Sequence, residues 1–371
     1  MKVIIAAAGT GGHINPGIAI ADIIEKNYPN SDIRFIATGK KLEEDLIHNA
    51  GYKSYKINAY GFSKKINVEN IKKMYKTFTG YFAAKKILKE FKPDIVIGTG
   101  GYICGAVISS AHSLKIPTLL HESNAYPGMA IRMLQKKADT ILVGIEDAKN
   151  SLNKAKRVVY TGTPTKVKLI KLSKTEKNDI IKNLGLSIKK KIVLIFGGSQ
   201  GAKKINDCIV DIIKDKLNKD YQIIWSCGKE QYDIIKEELK KKKIDIDKIE
   251  NVKAFPYIYN MDEVMNVSDL VVARSGALTL TELSLLGKPA IFIPLPSTSA
   301  NRQEDNARVF EKNGASKVIL NNEVNKDNLS SAINDIVQDE NALKEMSKNS
   351  SKLAVLDVEE KILNEIKRLV G

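Results

Sequence analysis

Short apolar runs alternate with longer stretches in which apolar residues recur at helical spacing. The runs VIIAAA, IRFIATG, DIVIGTGG, TLLHES and ADTILVG come first. The series restarts with IVLIF at 192–196 and continues with YQIIWSCG, LVVARSG and PAIFIPL. Several of these runs are apolar throughout, as strands covered on both faces must be. Strands alternating with helices over this length predict an α/β protein built on parallel sheets. The restart predicts two lobes of similar design. The stretch TGTPTKVKLIKLSKTEKN, at 161–178, carries a proline and little apolar periodicity, and marks the division. The expected domains are 1–163, 164–345 and a helical tail, 346–371, that packs back toward the N-terminal domain.

Length and composition agree with this picture. A chain of 371 residues holds about two domains at ~100–200 residues each. Hydrophobic residues make up 43% and charged residues 27%, enough for real cores on a soluble globular protein. The three cysteines, Cys104, Cys208 and Cys227, are far apart and form no CxxC pair. This spacing argues against a disulfide framework or a zinc site and fits a reducing compartment. The N-terminal apolar run is too short for a signal-peptide core, and no run approaches the ~20 residues of a membrane-spanning helix. A cytoplasmic protein is expected.

Net charge is +16, which suits a nucleic acid, an anionic membrane or a phosphorylated substrate. The excess is uneven. Residues 1–165 carry 24 basic against 13 acidic side chains, and residues 53–92 alone hold 11 lysines and two acids. Within them, IKKMYKTFTGYFAAKKILKEFK (71–92) interleaves lysines with Met74, Tyr75, Phe78, Tyr81, Phe82, Ile87 and Leu88. That is the pattern of an interfacial helix, with aromatics at headgroup depth and lysines toward anionic lipid. A core-facing amphipathic helix with a solvated basic face gives the same pattern, and the two can coexist. No RRM, KH or helix-turn-helix signature supports nucleic acid.

Glycines gather where strands meet helices. Gly9, Gly11 and Gly12 follow the first strand in VIIAAAGTGGHINPG; Gly98, Gly100 and Gly101 end another; Gly197, Gly198 and Gly201 open the second lobe in IVLIFGGSQGAKKIN. Bare backbone permits close approach, and the helix that follows presents unpaired N–H groups and the positive end of its dipole. Phosphate is the natural guest. A dinucleotide is disfavoured, because GxGxxG would need glycine where Ile14 stands and FIATGKK lacks the ribose-binding acid. GGSQGA is not a Walker A loop either. A third cluster, ARSGALTLTEL, ends a strand with Arg274, Ser275 and Gly276 and opens a helix carrying Thr279, Thr281 and Glu282. Its amides suit phosphate and its carboxylate suits ribose hydroxyls, although a first-turn acid also serves as a plain helix cap.

Taken together, GTGGHINPGIAIA, GTGGYICG, LLHESNAYPG, GGSQGAKKIN, ARSGALTLTEL and GKPAIFIPLP resemble, in order and spacing, the MurG family of inverting GT-B glycosyltransferases of bacterial cell-wall synthesis. The resemblance covers residue 9 to about residue 310. It implies the GT-B fold, two Rossmann-like lobes facing a cleft. It implies transfer of N-acetylglucosamine from UDP-GlcNAc to the 4-hydroxyl of undecaprenyl-diphospho-MurNAc-pentapeptide (lipid I), giving lipid II. The implied donor contacts are Thr10, Gly11, Gly12, Asn124, Lys166, Ser199, Ile258, Ala277, Leu278, Thr279, Leu280, Thr281, Glu282 and Gln303. Lys166 stands where other members have arginine, and lysine keeps the charge but loses the bidentate fork. The acceptor is lipid-linked, so the expected place of work is the cytoplasmic face of the cell membrane, reached peripherally through about 71–92. No cofactor, metal or nucleic acid is expected.

The chemistry asks for a group that takes the acceptor's proton. His13 has a reference pKa near 6.5 and stands at the edge of the first glycine loop. Glu122, in HESN, is the candidate to share or replace that role. His13 could instead cap its helix or fix its loop. His48 and His112 fall on helices, and His121 follows an apolar strand and orients a loop. The triplet Asp245–Asp247 resembles a metal-binding DxD motif but lies in a charged connector. Another GT-B enzyme (a lipid glycosyltransferase or a UDP-GlcNAc epimerase) and a nucleotide-sugar sensor without catalysis remain as rival readings.

Overall fold

The computed structural model describes every residue except 60–67, 166–171, Ser199 and 297–301; within 68–77 it describes the backbone only. In chain order the elements are β1 (Lys2–Ala7), α1 (Gly11–Asn27), β2 (Asp32–Ala37), α2 (Lys41–Asn49), β3 (Lys53–Lys56), α3 (Val68–Phe91), β4 (Ile95–Gly100), α4 (Ile103–Ser113), β5 (Thr118–Glu122), α5 (Met129–Leu134), β6 (Thr140–Val143) and β7 (Val158–Tyr160). Then follow α6 (Lys174–Asn183), β8 (Lys191–Phe196), α7 (Lys203–Lys214), β9 (Tyr221–Ser226), α8 (Lys229–Lys241), β10 (Val252–Phe255), α9 (Met261–Val267), β11 (Leu270–Ala273), α10 (Ala277–Leu285), β12 (Ala290–Phe292), α11 (Arg302–Lys312), β13 (Ser316–Val318), α12 (Lys326–Val337), α13 (Glu340–Lys352) and α14 (Val358–Val370).

These elements form two compact units, Met1–Lys166 with Val355–Gly371, and Val167–Ala354. The first unit is a seven-stranded sheet in the order β3-β2-β1-β4-β5-β6-β7, and the second a six-stranded sheet in the order β10-β9-β8-β11-β12-β13. Every strand pair is parallel. Both orders are doubly wound. In each the winding reverses beside the first strand, between β1 and β4 and between β8 and β11, and ligands of such sheets bind beyond the strand ends at that reversal.

The central strands are buried along their length, and helices cover them with apolar faces. Val3, Ile5, Ile14, Ile20 and Phe35 form one layer of the first unit; Ile195, Ile209, Tyr221, Trp225 and Ile333 belong to the core of the second. Helix α14 joins the first unit through Ile362 and Ile366, which enter the same layer as Val3 and Ile5. The expected boundary at 345/346 falls within α13, which packs on α10 in the second unit. The units change over between Ala354 and Val355 instead.

One buried charge holds α14 in place. Arg157 donates to both oxygens of Glu365, from Nε at 2.9 Å and Nη2 at 2.6 Å, and Arg368 Nε donates to the same carboxylate at 2.9 Å. The Arg157 bond pulls the Glu365 carboxyl below its usual range, ahead of burial, which pushes the other way. A carboxyl lowered by folding contributes stability above its unfolded value and loses it as pH falls through its folded value. Both arginines are about half exposed, which limits the pair. Glu365→Gln should therefore cost about 1–2 kcal/mol at pH 7 by urea denaturation, and the gap from wild type should close as pH falls below the ordinary carboxyl range.

Candidate active site

The reversal point of the first sheet is built around one peptide group. Beyond β1 the chain turns at Gly9, whose φ of +104° favours glycine. The Gly9 N–H donates to Glu43 Oε1 at 2.8 Å. Glu43, on α2, is fully buried and also accepts from Thr38 N at 2.8 Å and from the Thr38 hydroxyl. Thr10 is the N-cap of α1, and Gly11 and Gly12 open that helix.

His13 is half-buried in the first turn of α1, with Nδ1 3.1 Å from the Ala8 carbonyl. A carbonyl only accepts, so Nδ1 carries the proton and the basic lone pair belongs to Nε2. The Thr99 hydroxyl donates to His13 O at 2.7 Å and fixes the main chain there. The glycines at the end of β4 make room. A Cβ on Gly100 would stand 2.5 Å from His13 Cδ2, and one on Gly101 would stand 2.3 Å from the Ala8 carbonyl oxygen. Gly11 and Gly12 differ. A Cβ on either would meet only Asn15 or Thr10, at 3.5 and 3.6 Å. Packing among the described residues does not demand those two glycines.

Glu122 ends β5 and is buried. Oε1 accepts from Asn124 N at 2.9 Å and Asn124 Nδ2 at 2.8 Å, and Oε2 accepts from Gly128 N at 2.7 Å. Its oxygens are spent on the loop that carries Asn124. That arrangement suits a loop-fixing residue. Its neighbour His121 donates from Nε2 to the Gly162 carbonyl at 3.2 Å, and burial pushes its pKa down to about 4, so the ring is neutral.

In the second unit the loop after β8 leans on the end of β9. A Cβ on Gly201 would lie 2.0 Å from the Cys227 carbonyl oxygen, so only a bare residue fits. Asn206 ties the two together: its Nδ2 donates to Cys227 O at 2.8 Å and to Gln231 Oε1 at 2.7 Å, while Trp225 Nε1 donates to its Oδ1 at 3.0 Å. Gly198, at φ +91°, has open space where its Cβ would be. Ser199 lies outside the described residues, as does Lys166.

The loop after β11 is braced from the far side. Arg274 Nη1 donates to the carbonyls of Ile293 and Pro294, at 2.8 and 3.0 Å. The Ser275 hydroxyl donates to Gln303 O at 2.6 Å, and Asn306 Nδ2 donates to Ser275 O at 3.1 Å. The Gln303 side chain accepts from Leu295 N at 2.9 Å. Arg274 thus supports the turn. Helix α10 begins at Ala277 with Gly276 as N-cap, and no acid lies in its first turn. Ala277, Leu278, Thr279, Thr281 and Glu282 are half-exposed along it. The Thr281 hydroxyl donates back to Ala277 O at 3.1 Å. Leu280 is a core residue and Ile258 is buried, so both can offer only main chain to a ligand. The triplet Asp245–Asp247 is committed elsewhere: Asp247 pairs with Lys236 at 2.6 Å, and Asp245 pairs with Lys248 at 3.4 Å.

Sequence reasoning missed Glu43, Thr38, Asn206 and Asn306. Nothing in KLEEDLIHN separates Glu43 from Glu44 or Asp45 except which face of α2 is buried.

Residues 3–143 match the glycosyltransferase family 28 N-terminal domain, and residues 192–362 match the family 28 C-terminal domain. Over 370 residues the chain is 40% identical to a protein of Ruminiclostridium cellulolyticum, with all of both chains covered. That protein is named UDP-N-acetylglucosamine–N-acetylmuramyl-(pentapeptide) pyrophosphoryl-undecaprenol N-acetylglucosamine transferase. A protein of the same name from Acetivibrio thermocellus is 40% identical over 371 residues, covering 100% of this chain and 98% of its own. Among solved structures, Acinetobacter baumannii MurG superposes with a TM-score of 0.78 at 24% identity, covering 99% of each chain, which speaks for the fold. The UDP-bound Staphylococcus aureus MnaA superposes at 0.69 with 16% identity, covering 99% of this chain and 96% of its own, and shares the fold alone. With both domains matched and full-length relatives at this identity, the chain belongs to glycosyltransferase family 28.

Proposed function

We propose that the protein moves N-acetylglucosamine from UDP-GlcNAc to the 4-hydroxyl of the N-acetylmuramoyl sugar in lipid I, with inversion, to give lipid II. The observation that carries this reading is 40% identity over the whole chain to a transferase named for that donor and that acceptor. His13 Nε2 takes the proton from the acceptor hydroxyl as its oxygen attacks the anomeric carbon. The bond from that carbon to the diphosphate oxygen breaks on the opposite face, and UDP leaves with the electron pair. Amides at the start of α10 and the bare loop at Gly197–Gly201 receive the diphosphate, with Ser199 and Lys166 as further donors. Glu282 accepts from the ribose, and the Ile258 main chain meets the base. Thr10, Gly11, Gly12 and Asn124 are the donor contacts contributed by the first unit, beside His13.

The enzyme reaches its lipid-linked acceptor through α3. Phe78 and Phe82 are 61% and 53% exposed and pack edge to face, with ring centroids 5.0 Å apart. On the same helix Ala84 and Leu88 are buried, so α3 uses one face for the core and leaves an aromatic pair outside. Lys86 and Lys89 are exposed beside them. Aromatics at the interface and lysines against anionic headgroups favour peripheral, salt-sensitive binding, at about 1 kcal/mol per near-surface lysine. Among the described residues no helix is long and apolar enough to cross a membrane.

Three outcomes are expected. UDP release from UDP-GlcNAc should require a soluble lipid I analogue and persist in EDTA. His13→Ala should lower kcat by about 10²–10⁴-fold with UDP affinity kept; hydrolysis without acceptor, or a fully active variant, contradicts the reading. In liposome flotation with anionic vesicles, changing Phe78 and Phe82 to serine should abolish most capture, as should high salt. Undiminished capture removes α3 from the membrane surface.

A further inference from the structure

Glu43 is a fully buried carboxylate surrounded by donors alone: Gly9 N, Thr38 N and the Thr38 hydroxyl. Among the described residues no lysine or arginine stands within ion-pair distance of it. A buried charge without a counter-cation is costly, and natural folds keep few of them. Its Gly9 bond leads somewhere specific. The peptide group whose Gly9 N–H donates to Glu43 at one end is the one whose Ala8 C=O, at the other, accepts from His13 Nδ1 at 3.1 Å.

We propose that Glu43 is a positioning residue for His13, acting through the Ala8–Gly9 peptide group. This rests on the reading of His13 as proton acceptor. An amide is a conjugated unit. An anion bound at its N–H draws the group toward the charge-separated form and enriches the oxygen, so hydrogen bonds in series strengthen one another. The enriched Ala8 oxygen holds the Nδ1 proton more firmly and keeps the basic lone pair on Nε2. When Nε2 takes the acceptor's proton, the ring becomes a cation and Glu43 gains, through the amide, the counter-charge it otherwise lacks. The pairing thus resembles a carboxylate–histidine dyad with a peptide group inserted between its members. The loop is built for that relay. Gly9 takes the positive φ that turns its N–H onto Glu43, and Gly101 presents bare backbone to the Ala8 oxygen.

The test uses the full-length enzyme with UDP-GlcNAc and a soluble lipid I analogue, together with 15N-histidine NMR in which His13→Ala assigns the His13 signals. Glu43→Gln should lower kcat by about tenfold, leave the KM for UDP-GlcNAc unchanged and lower the titration midpoint of the His13 ring by about half a pH unit. Combined with His13→Ala, it should cost nothing further. Thr38→Val removes another bond to the carboxylate but keeps the charge, and should stay within about twofold of wild type. Full additivity with His13→Ala, or an unmoved His13 midpoint, overturns the proposal. So does a Thr38→Val loss equal to that of Glu43→Gln. If His13→Ala keeps its turnover, the reading of His13 as base fails, while the NMR midpoint still decides whether Glu43 acts on the ring. If Glu43→Gln does not fold, the wild-type spectrum decides: a neutral ring protonated on Nδ1 supports the relay, and one protonated on Nε2 breaks it.

Discussion

Gly100 has no Cβ, and the candidate active site of the first unit depends on that. A single carbon there would press into the His13 ring at 2.5 Å. The imidazole would swing away, and the bond from Nδ1 to the Ala8 carbonyl would be lost with it. That bond keeps the proton on Nδ1. The same constraint governs the second unit at Gly201, where main chain must lie against the Cys227 carbonyl. Both places flank the reversal in strand order, where parallel sheets leave a crevice beyond their strand ends. The topology supplies the opening, and the glycines let backbone approach closely enough to use it.

The apolar runs disclosed nine of the thirteen strands among the described residues. The four that escaped, β3, β7, β10 and β13, are the four sheet edges. An edge strand has one neighbour and one open side, so it need not be apolar throughout. KSYK of β3 and VKAF of β10 are largely exposed or half-buried along their length, and neither reads as a strand without its partner. The tail was legible as helices, but the change of unit was not. Both α13 and α14 are amphipathic, and only packing reveals that Leu343 enters the second core while Ile362 and Ile366 enter the first.

At the candidate site the glycine clusters and His13 could be picked out because their spacing is local. The carboxylates could not, because their roles depend on burial. Glu122 stood out in HESN, yet its oxygens hold Asn124 and Gly128. Glu43 was lost among three neighbouring acids, yet it grips the loop that carries His13. Arg274 and Thr281 looked ready for a ligand, and in the structure each also donates to main-chain carbonyls. Long side chains that satisfy buried backbone groups look, in a sequence, like those that await a substrate.

On the proposed reading, bare strand–helix junctions at the two reversals divide the labour: the second unit receives a diphosphate and the first presents a histidine. A crystal structure with UDP-GlcNAc bound tests this most directly. Diphosphate oxygens are expected within about 3.2 Å of main-chain N–H groups at the start of α10 or in the Gly197–Gly201 loop. A nucleotide held at the opposite ends of the strands, or on the Gly9–Gly12 loop with the second unit empty, would contradict it.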